Sequence, residues 1–148
     1  MFTTNRIFIA SSVLVEYIKG TKLTLLNRIM SHENNSCFVN ETVVSEYLLY
    51  FLAINGNSSP KSLKKSGKIA DIFNQHFNHR FLLAFSFLAS DENLFSLTPR
   101  LMAAYNLLPN DAIILATCKI HSITKLASHD TDFIIPCKAE GIELLRED

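Results

Sequence analysis

Four carboxylate side chains and two serine hydroxyls in this chain have the types and positions that divalent-metal chemistry requires. The six residues are Glu46, Asp111, Asp130, Asp132, Ser12 and Ser128. Mg²⁺ and Mn²⁺ prefer hard oxygen ligands, and a site of several carboxylates can hold such an ion. The ion stabilises extra negative charge and activates a water molecule, and hydrolysis of a phosphodiester needs both. The acids therefore predict a Mg²⁺ or Mn²⁺ site, with the hydroxyls orienting its ligands.

Each acid also has a simpler interpretation. Asp111 falls in the first turn of a predicted helix, where the helix macrodipole favours negative charge. Glu46 lies among apolar residues, so it can occupy the solvated flank of a helix. Asp130 and Asp132 can simply form a turn. The acids therefore support a functional site jointly rather than one by one.

The predicted elements bring these residues toward one edge of a sheet. Two apolar segments, at 6–10 and 123–127, have the composition of buried strands. Ligands of open α/β sheets bind beyond the carboxyl ends of the strands, near the point where strand order reverses. Segments 10–12 and 128–132 follow the two strands directly, whereas Glu46 and Asp111 lie on helices.

The remaining pattern predicts alternating strands and helices. Ser11 or Ser12 is expected to cap a first helix that Gly20 ends, and Asn40 to cap a helix through 54. Further helices are predicted at 22–32, from Pro60 to about 75, from Thr98–Pro99 to about 106 and from Pro109 to about 121. Segments 37–39 and 142–145 are predicted strands, and 81–88 is a strand or a helix–strand junction. This order predicts a three-layer α/β/α sandwich with a mainly parallel sheet of four or five strands, and residues 1–148 as one domain.

The segments around the acids resemble the PIN-domain family, and within it the VapC-type toxins of toxin–antitoxin pairs. Residues 6–17, RIFIASSVLVEY, resemble the family's opening strand and turn, and 43–47, VVSEY, its second acidic motif. Residues 107–118, LLPNDAIILATC, and 126–133, LASHDTDF, resemble the third and fourth motifs. The third and fourth motifs are specific, whereas the second is weak alone.

The resemblance implies a metal-dependent endoribonuclease that is commonly dimeric and acts on RNA such as tRNA or rRNA. It also implies a small antitoxin protein that occupies the groove and silences the activity. Glu46, Asp111, Asp130 and Asp132 take the places of the family's acids.

The first motif departs from the family at Ala10, where the resemblance implies an aspartate that is the central metal ligand. A methyl group cannot coordinate Mg²⁺, so we expect a loss of several kcal/mol of transition-state stabilisation. Because the other acids remain, we interpret Ala10 as a selected or deliberate replacement that disarms a nuclease. The alternative is a non-catalytic PIN-like domain that binds RNA or a protein partner. A phosphatase-like enzyme is disfavoured, because 10–12 lacks the Asp-x-Asp that an aspartyl nucleophile requires.

Composition limits the class further. Fourteen basic and fourteen acidic residues among 148 give no net charge, which argues against a broad electrostatic binder of nucleic acid. No apolar run has the length of a membrane span. Three cysteines are typical of reduced thiols, and we expect a cytoplasmic protein without membrane association.

Four further features have competing interpretations. Lysines 61, 64, 65 and 68 recur at helical spacing and would form either an RNA-contacting or a solvated face. Cys118 and His121 have a spacing that zinc uses, although a buried core thiol is favoured. His129 is expected to be an exposed loop residue, since Ser128-His129-Asp130 cannot form a hydrolase triad. Six aromatic residues are expected in the core, with any exposed one a candidate for a partner surface: Phe81, Phe85, Phe87, Phe95, Tyr47 and Tyr50.

Overall fold

The computed structural model describes residues 4–147, and the strands of this part of the chain form one parallel sheet of five strands. The strands are β1 (Asn5–Ile9), β2 (Asn35–Asn40), β3 (Ser86–Leu88), β4 (Lys125–Ala127) and β5 (Glu143–Leu145). Their order across the sheet is β3-β2-β1-β4-β5. The central strand β1 is buried at Ile7, Phe8 and Ile9, as expected for a parallel strand covered on both faces.

Helices connect the strands and cover both faces of the sheet. They are α1 (Ser11–Lys19), α2 (Thr24–Ser31), α3 (Glu41–Gly56), α4 (Pro60–Lys65), α5 (Ile69–His76), α6 (His79–Leu82), α7 (Leu94–Tyr105), α8 (Pro109–Ile120) and α9 (Ile134–Glu140), with a 3₁₀ turn at Thr131–Phe133. Right-handed crossovers put the helices that follow β1 and β2 on one face and those that follow β3 and β4 on the other. The predicted three-layer α/β/α sandwich with a parallel sheet is confirmed.

Strand order reverses between β1 and β4, because the chain moves outward from β1 through β2 and β3 and then returns to the other side. At this position Ile9 lies opposite Ala127. The next amide, that of Ala10, donates to the Ala127 carbonyl at 2.9 Å. The carboxyl ends of both strands therefore end level with each other and define one crevice.

A buried polar contact fixes the start of α3 against α8. Asn40 caps α3, as predicted, because its Oδ1 accepts from the Val43 amide at 3.0 Å. The side-chain Nδ2 of Asn40 donates to Thr117 Oγ1 of α8 at 3.0 Å. This bond holds together the two helices that carry Glu46 and Asp111.

The predicted cap of α1 is wrong. Ala10 is the N-cap residue of this helix, and no side chain accepts a bond from its first turn. The hydroxyls of Ser11 and Ser12 instead bond to residues distant in the chain. Gly20 ends α1 in the left-handed conformation, as predicted.

Two predicted helix boundaries are also wrong. The basic helix after Pro60 is two helices, α4 and α5, separated by Gly67 at φ 67°. Thr98–Pro99 does not begin α7, which starts four residues before Thr98 and contains the proline. Segment 81–88 is the helix–strand junction that was one of the two predicted forms.

The aromatic residues divide between core and surface. Tyr47 and Phe85 are buried and Phe81 packs against them, as predicted. The core prediction is wrong for Phe87, Phe95 and Tyr50, which are 59%, 88% and 48% exposed. These three are therefore the candidates for a partner surface.

The thiols and the membrane prediction can be compared directly with the described residues. Cys37, Cys118 and Cys137 are free and buried, so Cys118 is the core thiol that was expected.

No single described helix has the length and apolarity of a membrane span. Only α7 and α8 taken together reach them, across a bend of 118°.

Candidate functional site

Three of the predicted acids converge beyond the ends of β1 and β4. Carboxylate oxygens of Asp111, Asp130 and Asp132 lie within 4.8 Å of one another. Asp111 comes from the first turn of α8, whereas Asp130 and Asp132 come from the loop after β4. Asp111 and Asp130 are half-buried and Asp132 is exposed, so the cluster opens to solvent on one side.

Burial and mutual repulsion change the acidity of this group. Burial, followed by the charges of Asp130, Glu46 and Asp132, raises the pKa of the Asp111 carboxyl to about 6. An ionised carboxylate in this position is therefore disfavoured unless a positive charge neutralises the cluster. Protonation is one way to relieve the repulsion, and a bound cation is the other.

The loop after β4 is held by a chain of hydroxyl contacts. Ser128 is fully buried, and its Oγ accepts from the Asp130 amide at 3.0 Å. Ser12 Oγ lies 3.1 Å from Ser128 Oγ and accepts from the His129 amide at 3.0 Å. Asp130 Oδ1 in turn accepts from the Asp132 amide at 2.9 Å. These bonds orient the two loop carboxylates, so a turn and a site are compatible interpretations of the same residues.

The β1 side of the crevice has a different composition. Glu46 accepts a hydrogen bond from Ser11 Oγ at 3.0 Å. The negative charge of Glu46 contributes to the raised pKa of the Asp111 carboxyl. It is not one of the three acids whose oxygens converge within 4.8 Å. Position 10, at the end of β1, carries only the buried methyl group of Ala10.

The donor set fits a hard divalent cation. Three carboxylates from two chain segments are the oxygen ligands that Mg²⁺ and Mn²⁺ prefer, and Mg²⁺ usually completes its shell with water. The exposure of Asp132 leaves the cluster accessible to water. The soft ligands that zinc favours are absent from this cluster, and the buried Cys118 lies in the core.

Two neighbouring features differ from expectation. His129 is half-buried rather than exposed, and its Nε2 has no hydrogen-bond partner among residues 4–147. Lysines 61, 64 and 65 lie on α4, but Lys68 lies beyond its end. All four lysines are exposed, as the RNA-contacting and the solvated interpretation both require.

The fold and the site define a doubly wound α/β protein with an acidic cluster at its topological switch point. The PIN-domain family model matches residues 7–138. This chain therefore belongs to the PIN-domain family.

Two curated relatives from Methanocaldococcus jannaschii are 30% identical to the chain. Ribonuclease VapC2 matches over 131 residues, which are 87% of each chain. Ribonuclease VapC6 matches over 97% of this chain and 98% of its own. Among solved structures, VapBC2 from Rickettsia felis, bound to a DNA fragment from its promoter, has a TM-score of 0.63. It is 15% identical and covers 97% of this chain and 99% of the other, a likeness of fold.

The structure brings together most of the predicted site, and one contributor was missed. The three aspartates converge, Glu46 stands beside them, and Ser12 and Ser128 hold the loop. The metal-binding roles of these residues stay predictions. Ser11 was expected only as a cap, although it follows the strand end as Ser12 does. Its place directly after the strand end could have indicated that its hydroxyl bonds to another residue of the site, which is Glu46.

Proposed function

We propose that this chain is a metal-dependent endoribonuclease of the VapC type, weakened by Ala10. The observation that carries the proposal is the convergence of three aspartates at the switch point of a PIN-domain chain. The names of the two curated ribonucleases support RNA as the substrate. The crevice is open to solvent at Asp132, which suits a polymer that enters from outside.

In this proposal each residue of the crevice has a distinct task. Asp111, Asp130 and Asp132 hold the divalent cation, Mg²⁺ or Mn²⁺, and Glu46 adds negative charge beside them. The cation supplies charge stabilisation at the phosphate and a more acidic water. Ser12 and Ser128 position the loop carboxylates through the amides of residues 129 and 130. Ser11 positions Glu46.

Ala10 sets the level of activity in this proposal. An aspartate here would follow β1 directly and would add a carboxylate on the side of the crevice that has only Glu46. It would also provide the side-chain cap that α1 lacks, which is worth about 1 kcal/mol in helices. The methyl group provides neither, so the cation is held from one side.

Partners follow from the same proposal. We infer a cognate antitoxin that covers the crevice, since the curated relatives are VapC proteins and the fold neighbour is a VapBC complex. A homodimer, a cytoplasmic location and a single domain over residues 1–148 belong to the same proposal. The exposed side chains of Phe87, Phe95 and Tyr50 are the candidate contacts with the antitoxin or with a second copy of the chain.

A paired cleavage assay tests the enzymatic proposal. The chain and Ala10→Asp are incubated with total RNA in Mg²⁺ or Mn²⁺, with EDTA as the control. We expect Ala10→Asp to cleave at least about 100-fold faster, because preorganised charge at a phosphate site has effects of that order. Adding Asp111→Asn to Ala10→Asp should abolish the gain.

The second candidate is a non-catalytic PIN domain that binds RNA or a protein partner, and Ala10 is the observation that favours it. If Ala10→Asp stays folded, binds the cation and still cleaves no RNA, the enzymatic proposal is wrong and this candidate replaces it.

A further inference from the structure

A small cavity shares one wall with the acidic cluster. It has a volume of about 240 Å³ and is lined in part by Asp132 and Thr131 of the loop after β4. Tyr105 and Asn106, at the end of α7, also line it. Because Asp132 also belongs to the cluster, the cavity and the cluster adjoin at this residue.

The walls of the cavity combine a fixed aromatic ring with apolar and amide groups. Tyr105 Oη donates to Glu140 Oε2 at 2.6 Å, and Lys119 Nζ lies 2.8 Å from Glu140 Oε1. These bonds hold the half-buried Tyr105 in place. Ile135 lies on the cavity rim and is 73% exposed, so a large apolar side chain here faces solvent with no described residue covering it.

Asn106 supplies hydrogen-bonding capacity at this point. It occupies the left-handed conformation after α7, with φ 56°, and its residue is exposed. Its backbone N–H donates to the Met102 carbonyl, whereas its side-chain amide has no hydrogen-bond partner within residues 4–147. An amide carries both a donor and an acceptor, which is the complement of the edge of a nucleobase.

We propose that the cavity formed by Tyr105, Asn106, Thr131, Asp132 and Ile135 binds one unstacked base of the RNA, next to the phosphate at the acidic cluster. This inference rests on the proposed function. Single-stranded RNA is recognised by bases that stack on aromatic groups and bond through their edges. The cavity is smaller than sites for drug-sized ligands, which measure about 300–1,000 Å³, and suits one flat ring system. The shared Asp132 favours a base over a protein side chain, because a base is tethered to the phosphate beside it.

The test uses RNA binding, so it does not depend on cleavage. Five fluorescein-labelled octamers serve as probes: oligo-A, oligo-C, oligo-G, oligo-U and an octamer of abasic ribose phosphate. Fluorescence anisotropy gives their affinities for the full chain in Ca²⁺, an oxygen-binding cation. Asn106→Gly removes the amide and keeps the left-handed backbone accessible. Asn57→Gly is the matched control, since Asn57 has φ 49° after α3 and lies outside the cavity.

We expect the chain to distinguish among the four bases and to bind the abasic octamer more weakly. Asn106→Gly should reduce the ratio of best-bound to worst-bound base about fivefold, the effect of one hydrogen bond. Ile135→Ala should weaken the base-containing octamers by about threefold to tenfold. Neither variant should change the affinity of the abasic octamer, and Asn57→Gly should change nothing.

Four results would overturn the inference. Unchanged base ratios in Asn106→Gly, with RNA still bound, would refute the base site alone. Equal losses for abasic and base-containing octamers would place the effect on the backbone or the fold. If Asn106→Gly and Ile135→Ala sediment differently from the unaltered chain and the base ratios stay unchanged, the cavity is a contact between protein chains instead. Failure of the unaltered chain and of Ala10→Asp to bind any octamer would instead refute the proposed function together with the inference.

Discussion

The two strand ends that form the crevice differ in what they contribute. The loop after β4 carries two carboxylates, and buried or half-buried hydroxyls hold its amides in place. The end of β1 carries Ala10, and the acid on that side, Glu46, is reached only through Ser11 of the next turn. Positioning and charge are therefore separate properties of the β1 end. Ser11 and Ser12 still bond to Glu46 and to the loop after β4, while position 10 carries no charge.

Asp111→Asn should have the largest effect on this asymmetry. It removes one of the three convergent acids, so we expect Mn²⁺ affinity to fall at least about 100-fold, more than the loss of an outer-shell partner. Without metal the variant should be more stable near pH 7.5, because an ionised carboxylate that burial and neighbours disfavour is gone. Isothermal titration calorimetry and thermal unfolding in EDTA measure the two effects. Asp71→Asn, at an exposed position of α5, is the control and should change neither.

Ser128→Ala should show that the β4 side depends on its hydroxyl network. The half-buried Asp130 amide loses its acceptor, which costs about 1 kcal/mol of unfolding free energy. Mn²⁺ affinity should fall about tenfold, as for other groups that orient a ligand. Urea unfolding and calorimetry measure both. Ser58→Ala, which alters an exposed serine between α3 and α4, should leave both unchanged, and equal effects of the two variants would contradict the network.

The free energy of unfolding should depend on pH because the pKa of the Asp111 carboxyl differs between the folded and the unfolded chain. Its pKa is raised from 3.8 to about 6 in the folded chain, so between these values the native state binds more protons than the unfolded state. Its contribution to the free energy of unfolding therefore falls as pH rises from about 4 to above 6. Urea unfolding of the chain and Asp111→Asn in EDTA, from pH 4.5 to 7.5, isolates this contribution. A stability difference between the two that does not change with pH would contradict the raised pKa.

Ser11→Ala should have the smallest effect. It removes one hydrogen bond to Glu46 from a half-buried position, which is worth about 0.5–1.5 kcal/mol. Mn²⁺ affinity should change less than in Ser128→Ala, because Glu46 is outside the convergent group. The same titrations measure it, and a loss as large as that of Ser128→Ala would show that the β1 side is an equal partner.

The sequence predicted most of the elements because their signals are local. The apolar run before Ala10, the cap at Asn40 and the proline that begins α8 each act over a few residues. The meeting of the two strand ends at one edge follows from parallel topology, which the alternation of elements indicates. The order of the strands across the sheet was not predicted, and Asp111 was placed in the site by the family resemblance.

The wrong predictions occur where tertiary contacts decide the outcome. Ser11 and Ser12 look like caps, but their hydroxyls bond across the crevice. Thr98–Pro99 has the composition of a helix start, yet α7 begins earlier. Gly67 interrupts a basic stretch whose periodicity continues past it. The exposure of Phe95 has no local signal, because apolar composition alone predicts burial.

The effect of position 10 on Mn²⁺ affinity tests most directly the claim that the ends of β1 and β4 share one cation site. Isothermal titration calorimetry compares Mn²⁺ binding to the chain and to Ala10→Asp at pH 7.5, above the pKa of about 6 of Asp111. If position 10 is the open side of the cation site, Ala10→Asp should bind Mn²⁺ at least about tenfold more tightly, the scale of one added charged ligand. Equal affinities of two folded proteins, or tighter binding that persists after Asp111→Asn, would contradict a site shared between the ends of β1 and β4.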